Sequence, residues 1–214
     1  MRFVEGELGR SKVVAVCTGE GCESASEGAR ALLDRFPVER LVVLGFAGGL
    51  SPSLEIGALL VARRVLDGHG PSPDPDAVWS ARLARRCGAR PATFYTSRRL
   101  LGTAASKQDA WRRLGADGAA AVDLETAAVA ALAHSRGVPY VALRAISDAA
   151  EETLPVPLDR FLDERGRIRR LALLRRAVLQ PGLVPGLLAL RRRAALCSER
   201  LADALCDLLA EDDR

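Results

Sequence analysis

Two acidic residues stand where apolar runs give way to turns, places from which a carboxylate can do chemistry. Glu125 follows the run Ala119–Val122 and opens an Ala-rich stretch that predicts a helix over Glu125–Arg136, stopped by Gly137 as a C′ glycine. A carboxylate at a helix N-terminus is favoured by the helix dipole. Its two oxygens can accept hydrogen bonds from vicinal hydroxyls, as a ribose presents them. The alternative is an ordinary first-turn glutamate that stabilises the helix. Asp148 ends the apolar run Val138–Ile146, directly after Ser147. Burial there disfavours the charged form, so a neutral carboxyl is expected. Such a group can donate to purine N7 and help a base leave. The alternative is local: Asp148-x-x-Glu151 fits a helix capping box.

Two glycine-bearing turns sit at other strand ends. Thr18-Gly19-Glu20-Gly21 precedes a helix expected over Ser24–Phe36, where backbone N–H groups can face an anion or hydroxyl. Gly45-Phe46-Ala47-Gly48-Gly49 ends the buried run Leu41–Leu44 and suggests close approach of backbone to a ligand. A plain tight turn and crowding within the sheet are the respective alternatives.

These four features need a scaffold that gathers strand ends. Phe3–Leu8 and Val13–Thr18 read as a hairpin. Further strands are expected at Leu41–Leu44, Gly57–Arg64, Pro91–Tyr95, Ala119–Val122 and Val138–Ile146, with helices at Val78–Cys87 and Ala104–Leu114 between them. Strands alternating with helices imply an α/β fold, a mixed and mostly parallel sheet covered on both faces in three layers. In such sheets ligands gather at the carboxyl ends of strands. After Pro157 the character changes to two helices, Leu158–Leu179 and Val184–Leu209. The expected organisation is one α/β domain over 1–156 and a helical extension over 157–214 packed on it.

The composition sets bounds. The chain has 214 residues, 49% of them hydrophobic, enough for one domain with a sizeable core. Only Lys12 and Lys107 among its 31 basic residues are lysines. Residues 160–193 hold ten arginines against Asp163 and Glu164. That cluster lacks interleaved aromatics, so nucleic acid is not an expected partner. Leucine-faced basic helices can instead touch an anionic membrane from one side, or form a solvated face on the domain. Cys17, Cys22, Cys87, Cys197 and Cys206 are odd in number and show no CxxC, and there are only two histidines. Neither a disulfide framework nor a metal centre is expected, and reduced thiols in a cytoplasm are the simplest reading. The N-terminus lacks the apolar core of a signal peptide.

Two blocks, LVVLGFAGGLSPSLEIGALLVARRV and AVDLETAAVAALAHSRGVPYVALRAISD, in this order resemble the nucleoside phosphorylase/methylthioadenosine nucleosidase family over about residues 12–150. The resemblance implies a single α/β domain around a mixed, partly barrel-like sheet, and assembly as a homodimer. It implies that Glu125 holds the ribose hydroxyls with Leu124 packed under the sugar. Asp148 would protonate the purine with Ser147 positioning it, and Gly19, Phe46, Ala47 and Gly48 would surround the attacking water or phosphate. No cofactor or metal is implied, only inorganic phosphate as a co-substrate if the reaction is phosphorolysis. Family members begin with a further strand whose following loop carries an acid. Met1 falls at the second strand, so both are expected to be missing. Phe46 replaces a small polar residue, and no arginine in this loop offers to grip phosphate. The tail LPVPLDRFLDERGRIRRLALLRRAVLQPGLVPGLLALRRRAALCSERLADAL resembles that of hopanoid-associated phosphorylases. It implies adenine release from adenosylhopane in hopanoid biosynthesis. The alternatives are a methylthioadenosine/adenosylhomocysteine nucleosidase, or a nucleoside- or lipid-binding homologue without catalysis.

Overall fold

A computed structural model describes residues 3–9, 11–115, 118–155, 175–176 and 179–209. The chain opens with a hairpin of β1 (Phe3–Leu8) and β2 (Ser11–Val16), in register Phe3↔Val16 to Leu8↔Ser11. Then follow α1 (Cys22–Arg35), β3 (Leu41–Gly49), β4 (Leu59–Asp67), β5 (Gly70–Pro71), α2 (Ala77–Cys87) and β6 (Arg90–Thr96). After these come α3 (Ala104–Leu114), β7 (Ala120–Asp123), α4 (Thr126–Ser135), β8 (Tyr140–Asp148), a 3-10 turn (Pro181–Leu183) and α5 (Val184–Leu209). The expected helix over Leu158–Leu179 falls almost wholly outside the described residues.

The larger sheet runs β5-β4-β6-β7-β3-β8, and β4 also pairs with β8, so five of the strands close into a ring. Parallel pairings (β3 with β8, β4 with β6, β6 with β7) and antiparallel ones (β3 with β7, β4 with β8, β4 with β5) both occur. The sheet is therefore mixed. Parallel neighbours need a long crossover connection. The link from β3 to β4 contains no helix, so β4 returns antiparallel to β8, a pairing that a count of alternating strands and helices does not predict.

Residues alternate between two cores along each strand, as a period of two requires. Leu60, Ala62, Ala142 and Ile146 face α1 and α4, together with Ala25, Leu32, Ala130 and Ala133. Val61, Val141, Leu143 and Ala145 face α2 and α5, meeting Leu83, Cys197, Leu201, Ala204 and Leu208. The hairpin adds Phe3, Val14 and Val16 to the first core and sets Phe3 edge-on against Phe36, with centroids 5.5 Å apart.

The ring brings strand ends together in a definite order. Gly48 of β3 lies opposite both Asp148 of β8 and Val122 of β7. Asp123 of β7 lies opposite Thr96 of β6, and Thr96 opposite Asp67 of β4. Across the rim the order is thus Asp148, Gly48, Asp123, Thr96, Asp67.

Candidate active site

The turn after β7 is built around Asp123, a residue that sequence reasoning passed over. Its Oδ1 accepts from Thr96 Oγ1 at 2.8 Å and from the N–H groups of Glu125 and Thr126 at 3.3 Å. Its Oδ2 accepts from Arg144 Nε at 3.0 Å and from the Thr126 hydroxyl. Asp123 therefore caps α4, while Glu125 sits at the N-cap position with no side-chain cap bond. That arrangement frees the Glu125 carboxylate. The ordinary first-turn role weighed for Glu125 is not the one it fills.

Both Glu125 oxygens are tethered. Oε1 accepts from Gly21 N at 2.9 Å, and Oε2 from Arg144 Nη2 at 3.3 Å. A carboxylate has about four acceptor positions, so two remain for hydroxyl donors. Arg144 is nine-tenths or more buried and holds this group through its pair with Asp123 (Nη2–Oδ2 2.9 Å; side chains 3% and 1% exposed) and a bond to Thr126 Oγ1 at 2.9 Å. Gly45 makes room for it: a Cβ there would overlap Arg144 Nη1. The glycine run ending β3 thus accommodates side chains of the site. Gly48 does the same for Asp148, whose Oδ2 lies 3.1 Å from where a Cβ would be.

Asp148 is buried at the end of β8. Its Oδ1 accepts from Ser147 Oγ at 2.7 Å, and its Oδ2 is ion-paired with Lys107 Nζ. Lys107, on α3, is 0% exposed, and its other two protons go to Ala149 O at 2.7 Å and Glu152 O at 3.1 Å. The expectation of a carboxyl surrounded by apolar groups is corrected here, because a buried ammonium touches it. The capping-box alternative is not realised either: residues 149–152 form a turn, with Glu152 N bonded to Ala149 O. One of only two lysines in an arginine-rich chain was the available signal for Lys107. A lone arginine inside an apolar strand was the signal for Arg144.

The remaining candidates are placed as follows. Leu124 is half-buried and its carbonyl accepts from Cys22 Sγ at 3.1 Å. Ala47 is buried, and its carbonyl accepts from Ser147 Oγ at 3.4 Å. Phe46 is 39% exposed, as is its neighbour on the same strand face, Leu44, at 37%. Gly19 is half-buried in the turn before α1. The glycine turn was expected to offer amides to an anion; its Gly21 N–H is occupied by Glu125 instead. Burial and the charge of Glu125 push the Glu20 carboxyl above its ordinary range.

The C-terminal helix closes the Asp148 side. Cys197 Sγ donates to Ile146 O at 3.2 Å, Arg193 pairs with Glu152, and Arg200 Nη1 donates to Gly57 O at 3.3 Å. Among the described residues no cluster of His, Cys, Asp and Glu could hold a metal ion, and no helix is long and apolar enough to cross a membrane.

A buried aspartate, Asp148, and a doubly tethered glutamate, Glu125, thus stand at the ends of strands two apart along one rim. The Phosphorylase superfamily model matches residues 1–179. The chain belongs to the phosphorylase superfamily. It is similar to 5′-methylthioadenosine/S-adenosylhomocysteine nucleosidases from Bacillus thuringiensis and Bacillus anthracis, 28% identical over 183 residues, covering 76% of this chain and 79% of each relative. Among solved structures it superposes on the S-adenosylhomocysteine nucleosidase of Streptococcus pyogenes with a TM-score of 0.74 at 18% identity, covering 97% of this chain and 83% of the other. The Neisseria meningitidis 5′-methylthioadenosine/S-adenosylhomocysteine nucleosidase gives 0.72 at 16%, covering 97% and 85%. The protein is thus a phosphorylase-superfamily enzyme of the kind that cleaves glycosidic bonds.

Proposed function

We propose that this protein hydrolyses the N-ribosidic bond of an adenine nucleoside of the methylthioadenosine/S-adenosylhomocysteine class. The observation that carries the reading is the placement of Asp148 and Glu125 along one rim, joined through Gly48 and Val122 of the intervening strands. With the 2′- and 3′-hydroxyls donating to Glu125, the sugar is held with its anomeric carbon toward β8. Asp148 then faces the purine. As the C1′–N9 bond breaks, its electrons pass to the base, and Asp148, having taken up a proton from solvent when the nucleoside binds, delivers it at N7 and neutralises the base. Lys107 stabilises the carboxylate left behind, and Ser147 fixes the other oxygen. The negative Glu125 supports positive charge developing on the sugar. Water adds at C1′ and releases its proton to solvent, which balances the proton that Asp148 took up and passed to the base.

Hydrolysis is preferred to phosphorolysis because, among the described residues, the arginine at the rim beside Gly45 of β3, Arg144, is committed to Asp123 and Glu125. A second reading, adenosylhopane as substrate, is favoured by the exposed Leu44–Phe46 pair, an apolar strip beside the site. Of the tail that suggested it, residues 156–174 and 177–178 lie outside the described residues. Of its arginines in α5, Arg193 and Arg200 bond to the domain.

The test is release of free adenine, followed by chromatography, from methylthioadenosine, S-adenosylhomocysteine and adenosylhopane, with and without phosphate. Phosphate-independent adenine from the first two is the expected result. Adenine from adenosylhopane alone would transfer the assignment to the lipid conjugate. Dependence on phosphate would replace hydrolysis by phosphorolysis.

A further inference from the structure

The outward face of α5 changes character along its length. Its inward face, Cys197, Leu201, Ala204 and Leu208, closes the second core against Leu83, Val141 and Leu143. Outward, the first half of the helix carries Val184, Leu188, Arg191, Arg192 and Ala195, all exposed. Steps of three and four residues put these five on one side of the helix. Glu199, Asp203 and Asp207 take over the exposed side in the second half.

A helix packed on a domain turns polar residues outward. Here Leu188 is 47% exposed, and Leu179, just ahead of the helix, is 68% exposed. The helix cannot roll to bury them. Gly186 packs so closely on Pro155 that a Cβ there would lie 2.7 Å from the proline Cβ. One and two turns further on, Arg193 pairs with Glu152 and Cys197 Sγ donates to Ile146 O.

The charge around these apolar residues has one sign. From Arg165 to Ser198 the sequence has nine arginines and no acidic residue. Arg193 is used on Glu152, but Arg175, Arg176, Arg191 and Arg192 are exposed and have no ion-pair partner among the described residues. The same stretch contains no Phe, Tyr or Trp on which unpaired bases could stack. Exposed leucines among unpaired arginines match an anionic bilayer surface, which offers phosphates to guanidinium groups and an acyl boundary to apolar side chains. No described helix is long and apolar enough to cross a membrane, so such contact is made from one side.

We propose that the first half of α5, with the turn before it, is a docking face for the surface of an anionic phospholipid bilayer. Arg175, Arg176, Arg191 and Arg192 take lipid phosphates, while Leu179, Val184 and Leu188 enter the headgroup boundary. The acidic second half is repelled by the same surface, so the helix docks by its N-terminal end. This face is independent of which nucleoside the site cleaves.

Sedimentation of the full chain with vesicles tests the proposal. Phosphatidylcholine vesicles containing about one-third phosphatidylglycerol should bring the protein down, and pure phosphatidylcholine vesicles should not. Arg191→Gln combined with Arg192→Gln should weaken binding about 25-fold, about fivefold per arginine, and less in high salt. Leu188→Gln should weaken it about tenfold with little dependence on salt. Glu199→Gln combined with Asp203→Asn should tighten it. Thermal melting checks that these exposed substitutions leave folding unaffected. No binding to the anionic vesicles, equal binding to both kinds, or unchanged binding by the arginine and leucine variants would overturn the docking face. Light scattering without vesicles separates the other occupant. If the same variants turn a dimer into a monomer, the face joins two copies of this chain and the proposal fails.

Discussion

Lys107 and Asp148 form a buried ion pair in which the ammonium is wholly enclosed and all three of its protons are used, on Asp148, Ala149 O and Glu152 O. Removing one member of a buried pair leaves the other charge uncompensated, at about 3–5 kcal/mol. Lys107→Met should therefore lower the unfolding free energy by about that amount, read as the denaturation midpoint at constant m-value. Adding Asp148→Asn should recover part of the loss. A variant as stable as the wild type would show that the pair is not formed.

Arg144 is predicted to be the stability anchor of the sugar side. Arg144→Met strands Asp123, 1% exposed, among Thr96, Thr126 and two amides. A similar loss of about 3–5 kcal/mol is expected, and the double variant with Asp123→Asn should lose less than the two single changes added together. Strict additivity in a double-mutant cycle would contradict the network.

Glu125→Gln keeps the shape of the site but halves its acceptors for hydroxyls. Hydrogen bonds to a charged group are worth about 1.5–3 kcal/mol, so kcat/KM should fall by roughly 10- to 150-fold. The wild type should also prefer ribosides over 2′-deoxyribosides, and the variant should have lost most of that preference. Equal preference in both proteins would remove Glu125 from the sugar.

Glu20 carries a pH signature. Burial and the Glu125 charge raise its carboxyl above the ordinary 4.5 in the folded chain. The folded state then binds this proton more tightly than the unfolded state, so ionised Glu20 opposes folding once the pH rises above 4.5. Glu20→Gln should raise the melting temperature slightly at pH 7 and leave it unchanged well below 4.5. The same offset at both values would show that the effect is not ionisation.

Much of this arrangement is legible in the chain because local signals agree. Apolar runs ending in Gly, Asp or Glu locate β3, β7 and β8, and Gly137 stops α4 region by its αL backbone at φ 65°. What escapes is long-range. The closure of β4 onto β8 depends on a helix-free link, which carries no periodic mark. Asp123 looks like the last residue of a strand until Thr96, 27 positions earlier, is seen to bond it. Lys107 is 41 positions from Asp148, and only the packing of α3 against the turn after β8 makes the aspartate a paired group. The glycines of β3 were legible as close approach, yet what approaches is Arg144 and Asp148.

Adenine release by the wild-type chain and by Asp148→Asn, measured side by side on S-adenosylhomocysteine and methylthioadenosine, tests the central claim most directly. The account predicts turnover by the wild type and a loss of about 10²–10⁴-fold in the variant, the range for a positioned acid. Equal rates in the two proteins, or no adenine from the wild type, would contradict it.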